Sequence, residues 1–314
     1  TGCTTSSAKK VDSKYVVASL EKGNKTKNIF ADNLYKDIID NSSNNSTVFN
    51  AVLQNLVDQK FPVNDDMKED AATIIKQIKS AYKSNYGDNY KDSLNQALTS
   101  AGYKNLSEYR QKMIKQIQYA NFLLDYIDDH FDDVFNDYYQ QCAPKYVSLI
   151  KISVSDTSSP TDDETSKLNE VKELISNTDK SFGDIAQDYS NDSTSSKKGS
   201  LGIVDSKDTS GIANSYGKDV FNAIEALSEG QVSDVITGDD GYYFVKVTST
   251  DKKNLKKELK KTDIDSPLLA YDDYLQYVVY NSYKINYKDK DIKKIVQEVV
   301  NKALEERKTE RGEA

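Results

Sequence analysis

Eight of the chain's 13 glycines fall between residues 183 and 241, and the stretches on either side carry apolar residues at helical spacing. A chain divided in this way cannot be one uniform bundle. Glycine supplies the positive-φ turns and close backbone approaches that short elements need. Residues 183–241 are therefore expected to fold from short strands and helices, whereas the flanks bury helical stripes.

In the N-terminal flank Val48, Val52, Leu53, Leu56 and Val57 recur at three- and four-residue spacing, and Pro62 ends that helix. Asn64 caps the next, with Asp65, Asp66 and Glu69 in its first turn and Met67, Ala71, Ile74, Ile75, Ile78 and Tyr82 along one side. Leu94 and Leu98 mark a shorter helix that stops at Gly102. The longest is predicted from about Leu106 to Tyr139, striped by Tyr109, Met113, Ile117, Ala120, Leu124 and Ile127. Ahead of these, Tyr15–Ser19 is a short strand, and a Gly-Asn turn is expected to lead into a helix carrying Ile29, Phe30, Leu34 and Ile38.

After Pro144 the pattern changes. "YVSLIKISV" reads as a strand, Leu168, Val171, Leu174 and Ile175 as a helix, and "TGDDGYYFVKVTS", Thr237–Ser249, as a tight turn entering a strand. Beyond Ser249 the chain is basic and helical again, with a helix start at Ser266-Pro267 and a last stripe of Ile292, Ile295, Val296, Val299 and Leu304. Its charged end from Glu305 is expected to fray. The fold class that follows is α+β, with 1–13 a tether, 14–143 a helical lobe, 144–250 a compact inserted domain and 251–314 a helical segment. The two helical flanks are expected to pack together as one discontinuous domain.

Composition removes several functions. Net charge is −8, from 42 Lys+Arg and 50 Asp+Glu interspersed, which argues against a nucleic-acid partner. The one histidine, His130, lies in "DYIDDHFDDVF", an acidic helix face by its spacing; a metal site with Asp128, Asp129, Asp132 and Asp133 is the alternative, disfavoured because adjacent helical residues diverge. Two cysteines, Cys3 and Cys142, cannot build a zinc cluster or a disulfide framework. No metal and no cofactor is expected. No run of 18 apolar residues occurs, so no membrane span is predicted.

The opening "TGC" followed by "TTSSAKK" resembles the end of a bacterial lipoprotein signal, in which the cysteine is lipidated. That resemblance implies a diacylglyceryl anchor on Cys3 holding the chain to the outer face of a membrane; an idle cysteine is the other reading.

Two ordered blocks identify the insert. "SFGDIAQDYSNDSTSSKKGSLGIV", residues 181–204, resembles the "F-x-x-L-A-x-x-Y-S-x-D" helix end, Lys-rich loop and "G-G-D-L-G" of the parvulin family of peptidyl-prolyl isomerases. "ALSEGQVSDVITGDDGYYFVKV" is similar to that family's "A-L-x-x-G-E-x-S-x-P-V-x-T-x-x-G-Y-H-I-I-K-V". The likeness covers about Lys145 to Ser249. With the "V-A-x-x-x-x-G-x-x-T-K" opening, the lipoprotein-like cysteine and the helical flanks, the whole resembles the PrsA-type foldase lipoproteins of Gram-positive bacteria.

That resemblance implies a site. The family's two paired histidines fall on Lys151 and Tyr243, its acidic or thiol position on Asp192, which is retained. Its apolar proline pocket has Ile212, Tyr216, Val220 and Phe221 as candidates, and Glu225 stands near its usual last aromatic. A phenol donates one hydrogen bond and cannot relay a proton as imidazole does, so isomerase activity is expected to be weak or absent. Strand-core packing is the favoured account of Tyr243, and a turn role accounts for Asp192 as well as a site role does. The implied function is an anchored extracytoplasmic foldase or chaperone for unfolded or partly folded secreted proteins; the alternatives are an active isomerase and a surface structural or adhesion lipoprotein. A homodimer formed through the N-terminal lobe is compatible with the sequence, though no residue pattern compels it.

Overall fold

The computed structural model describes residues 9–177, 179–260 and 264–313. Cys3, and with it the expected anchor, lies outside the described residues. Two compact units result, one built from the chain up to Phe122 and again from Tyr274 onward, the other from Leu123 to Asp273.

The first unit opens on an antiparallel meander of β1 (Lys10–Val11), β2 (Lys14–Lys22) and β3 (Lys25–Phe30). The expected helix through Ile29 and Phe30 is thus a strand. Gly23, at φ +60°, opens a two-residue turn that pairs Lys22 with Lys25. Ile29, Phe30, Leu34 and Ile38 also fit a helical stripe, which hides the period-two alternation of Lys25–Ile29. The helix α1 (Ala31–Asp40) starts only afterwards, where the Asn33 side chain accepts from the Phe30 amide at 3.0 Å.

The helices α2 (Asn45–Lys60), α3 (Asp65–Tyr86), α4 (Tyr90–Ser100) and α5 (Leu106–Asp129) follow, and Asn64 caps α3 by accepting from the Met67 amide at 2.9 Å. Met67 and Ala71 of α3 pack on Ile114 and Ile117 of α5 in one buried cluster.

The long predicted helix breaks at His130. Asp128 and Asp129 crowd acid at a helix C-terminus, where the dipole disfavours it, while Asp132 and Asp133 sit favourably in the first turn of the next helix, α6 (Phe131–Cys142). The exposed His130 ring stacks on Tyr126 at 4.1 Å, its Nδ1 donating to the Tyr126 carbonyl.

The second unit is built on a four-stranded antiparallel sheet of β4 (Lys145–Ser153), β5 (Ser200–Val204), β6 (Ile236–Thr237) and β7 (Gly241–Ser249), in the order β5-β4-β7-β6. Alternation sends successive residues to opposite faces. Ile150, Ile152 and Phe244 pack with α7 (Asp162–Asn177) and α8 (Phe182–Tyr189); Val147, Leu149, Val245 and Val247 pack with α9 (Ile212–Tyr216) and α10 (Lys218–Ala226). Gly199 is obligatory where the loop enters β5. It lies at φ +75°, and a Cβ there would stand 2.4 Å from the Leu149 carbonyl oxygen.

Residues 123–143 and 251–273, assigned from sequence to the helical flanks, group with this sheet. The buried Asp205 carboxylate explains half of that: it accepts from the Tyr138 hydroxyl at 2.7 Å, from Thr209 and from two backbone amides. Tyr271 supplies the other half, donating to Asp137 at 2.7 Å and packing edge-on against Tyr138. Lys256 of α11 (Lys252–Leu259) adds an ion pair to Asp132 at 2.8 Å.

The chain returns to the first unit as α12 (Leu275–Ser282) and α13 (Lys290–Glu310). Fully buried Phe49 of α2 stacks on Tyr277 at 5.1 Å and meets Tyr280 edge-on, so the two chain ends share one core. The end expected to fray stays helical to Glu310, which accepts from the Tyr274 hydroxyl at 2.5 Å. Among the described residues no helix is long and apolar enough to cross a membrane.

Candidate functional site

The site forms on the α9–α10 face of the sheet, where β4 and β7 run side by side. Lys151 and Tyr243 are register partners, so their side chains emerge together on one face. The sequence marks the turn before β7 only as "GDDG"; its last acid, Asp240, proves to organise the pair. Lys151 forms an ion pair with Asp240 and its ammonium lies 5.6 Å from the Tyr243 ring centre. Tyr243 is 3% exposed and its hydroxyl donates to the second Asp240 oxygen at 2.5 Å. Gly238 leaves room for this, since a Cβ there would lie 2.7 Å from Tyr243 Cε2.

Asp192 arrives from the opposite side, on the loop after α8. That loop is held along β4 because the Lys151 amide donates to Ser190 Oγ at 3.0 Å and the Asn191 amide to the Lys151 carbonyl at 2.8 Å. Asp192 then caps the short turn Ser193–Lys197, accepting from the Thr194 amide and hydroxyl at 2.9 and 2.6 Å. It also accepts from the Tyr216 hydroxyl at 3.3 Å, while the Tyr216 ring meets Tyr243 edge-on at 6.1 Å. Lys151, Tyr243, Asp192 and Tyr216 are therefore one contiguous group.

The remaining pocket candidates divide. A groove of about 650 Å³ runs between residues 213–220 and the turn 236–240, and Tyr216, Val220 and Tyr243 line it. Ile212 and Val220 belong to the buried core, with 4% and 1% exposure, and Ile212 and Phe221 do not reach the groove. The reason is a break at Gly217, φ +100°, which splits residues 212–226 into two short helices whose faces are set independently. Glu225 is also away from the groove. One of its carboxylate oxygens is buried without a hydrogen-bond partner, because the nearby Lys145 ammonium instead caps α10, bonding to the carbonyls of Ile224, Glu225 and Leu227 at 2.7–2.9 Å.

Electrostatics fix the protonation of the group. The Lys151 ammonium, and after it the Tyr243 hydroxyl, hold the Asp240 carboxyl below the usual carboxylate range. Burial, reinforced by the bond to Asp240, pushes Tyr243 up and keeps it a neutral phenol. Burial and the Asp192 charge push Tyr216 up to about 12. At neutral pH the group thus consists of a cation paired to a carboxylate and two neutral phenols whose hydrogens are already donated. Such a set can bind a peptide carbonyl or amide; it offers no neutral imidazole. Among the described residues no group of three or more His, Cys, Asp or Glu is placed to hold a metal.

Part of the second unit has a counterpart among known protein families. Residues 149–249 match the family of PPIC-type PPIASE, or rotamase, domains, and this part of the chain is a parvulin-type domain. Among the relatives the chain matches are foldase proteins PrsA: that of Staphylococcus epidermidis is 33% identical over 141 residues, 43% of this chain and 41% of the relative. The Staphylococcus aureus protein is 32% identical over the same length and shares. The match thus spans about two fifths of those relatives. The crystal structure of foldase protein PrsA from Streptococcus pneumoniae aligns over 90% of this chain and 99% of its own, at 20% identity and a TM-score of 0.41.

Proposed function

We propose that the chain is an extracytoplasmic foldase that acts by holding unfolded or partly folded secreted proteins, with a parvulin-type domain of little or no isomerase activity. Turning an X-Pro bond means lowering a barrier of roughly 18–20 kcal/mol by binding the twisted amide better than the planar one. One observation carries the reading: the two positions that hold histidines in parvulins are Lys151 and Tyr243, and both are committed to Asp240. A phenol whose hydrogen is already donated and an ammonium tied to a carboxylate can hold a carbonyl, but they do not supply the paired imidazoles that the resemblance implies for catalysis. On this reading Cys3 carries the membrane anchor.

The test pairs two measurements on the same preparation. Isomerisation of a short Xaa-Pro peptide should be no faster than a few-fold above the uncatalysed rate, while aggregation of an unfolded client should be slowed. Robust isomerisation that disappears in Asp192→Ala overturns the binding-only reading. Mass measurement of the mature N-terminus checks the anchor, and sedimentation in solution checks for a dimer.

A second reading, an active isomerase, is favoured by one contact. Asp192 is retained and takes a hydrogen bond from Tyr216 at the groove, leaving an acid beside the place where a proline would enter.

A further inference from the structure

The segment 9–30 combines a positive charge with exposed apolar side chains. Six lysines against Asp12 and Glu21 give it +4, within a chain of net −8. Four large apolar side chains of β2 and β3 are also exposed: Tyr15 at 41%, Val17 at 45%, Leu20 at 66% and Ile29 at 44%.

The strand register sorts these residues onto two unlike faces. Ala18 pairs with Ile29, Leu20 with Lys27 and Lys22 with Lys25, so these six share one face. The other face pairs Ser19 with Asn28 and Glu21 with Thr26, and is polar, with Ser19 Oγ donating to Asn28 at 3.0 Å. The first face grades from apolar beside the β-bulge to wholly cationic at the hairpin tip. Every one of its residues is exposed. Among the described residues no carboxylate pairs with Lys22, Lys25 or Lys27.

We propose that this hairpin face docks on an anionic lipid surface. Leu20 and Ile29 would enter the boundary between headgroups and acyl chains, and the three lysines would meet lipid phosphates. Charge complementarity selects this occupant over a second copy of the chain. A two-fold contact through the same face offers the lysines no carboxylate, since the face carries none. A neutral bilayer leaves the lysines unanswered. The inference rests neither on lipidation of Cys3 nor on the foldase reading.

The full chain with Cys3→Ser, and so without any acyl group, is mixed with vesicles of pure phosphatidylcholine or of an equimolar mixture with phosphatidylglycerol. Bound protein is then measured by co-sedimentation. Binding is expected to the mixed vesicles only, and to fall as salt is raised. Replacing Lys22, Lys25 and Lys27 together by Gln should weaken it by roughly a hundredfold, at about 1 kcal/mol per lysine near the surface. Leu20→Ser with Ile29→Ser should also lose binding. All five substituted side chains are exposed, and far-UV circular dichroism and unfolding of each variant should match the parent. Equal binding to both vesicle types, or a triple lysine variant that binds like the parent, overturns the proposal. So does a Leu20→Ser, Ile29→Ser variant that keeps its lipid binding but turns a sedimenting dimer into a monomer, which assigns the face to a contact between copies.

Discussion

Lys151 and Tyr243 stand opposite each other in the β4–β7 register, and both close on the carboxylate of Asp240. The arrangement is an ion pair with a phenol bound to it. Its pH response differs accordingly from that of an imidazole pair.

Asp240 is the group that titrates. Its carboxyl is held down by Lys151 first and Tyr243 second. For a depressed carboxylate the stabilisation is present above the ordinary carboxylate range and is lost as pH falls through the group's own, lower value. The triangle should therefore persist from neutral into mildly acid solution. In Lys151→Ala the Asp240 titration, followed by carbon-13 resonance of its carboxyl, should move up toward an ordinary aspartate. An unmoved titration would show that the ion pair does not form in solution.

Rebuilding the pair tests whether its loss limits catalysis. Lys151→His with Tyr243→His restores two rings on adjacent register positions and frees Asp240. If Asp192, the groove and the fold are otherwise competent, kcat/KM on an Xaa-Pro peptide should rise by roughly tenfold or more, or about 1.4 kcal/mol of transition-state binding. A double variant that folds and yet stays as slow as the parent would place the deficit in the groove, which Ile212 and Phe221 do not line.

Gly238 permits the Tyr243 position by space alone, its φ being ordinary. A methyl group there meets the Tyr243 ring at 2.7 Å, and that ring is 3% exposed with its hydroxyl bound. Gly238→Ala should cost roughly 1–3 kcal/mol, the usual range for overpacking, read as a lower urea midpoint at unchanged slope. Gly238→Ala combined with Tyr243→Ala should recover most of the clash; a purely additive double variant would show that the two residues do not touch.

Much of this was legible in the sequence because it rests on local signals. The Phe182–Tyr189 helix, the Lys-rich loop and the Gly241–Ser249 strand each carry their own pattern, and together they placed Lys151, Asp192 and Tyr243. Asp240 was not legible, because an acid in a "GDDG" turn serves the turn equally well, and only the register of β4 brings Lys151 to it. Ile212 and Phe221 lie off the groove for a related reason: helical spacing was carried across Gly217, where the backbone turns. Residues 123–143 and 251–273 joined the second unit through Tyr138, Asp205 and Tyr271, whose contacts span sequence separations that no periodicity reveals. The β2–β3 hairpin was obscured because Ile29 and Phe30 fit two periods at once.

Glu225 is where the domain gives up stability. It carries a carboxylate with one buried oxygen that nothing bonds. Burial raises its pKa above the ordinary glutamate value; Lys145 opposes this, and Asp205 and Asp208 add to it. A raised carboxylate pKa means that the folded state binds the proton more tightly than the unfolded one. Stability from this group is present at low pH and is lost as pH rises through the ordinary glutamate value to the higher folded one. Glu225→Gln removes the charge and keeps the shape, so it should stabilise the protein at neutral pH. The gain should be small, on the order of 0.5–1 kcal/mol, because the side chain is only partly buried and solvent screens it. Urea unfolding at a series of pH values should show the difference shrinking as pH falls below the glutamate range. A variant less stable than the parent at neutral pH would mean that the attraction between Glu225 and Lys145 outweighs the cost of burial.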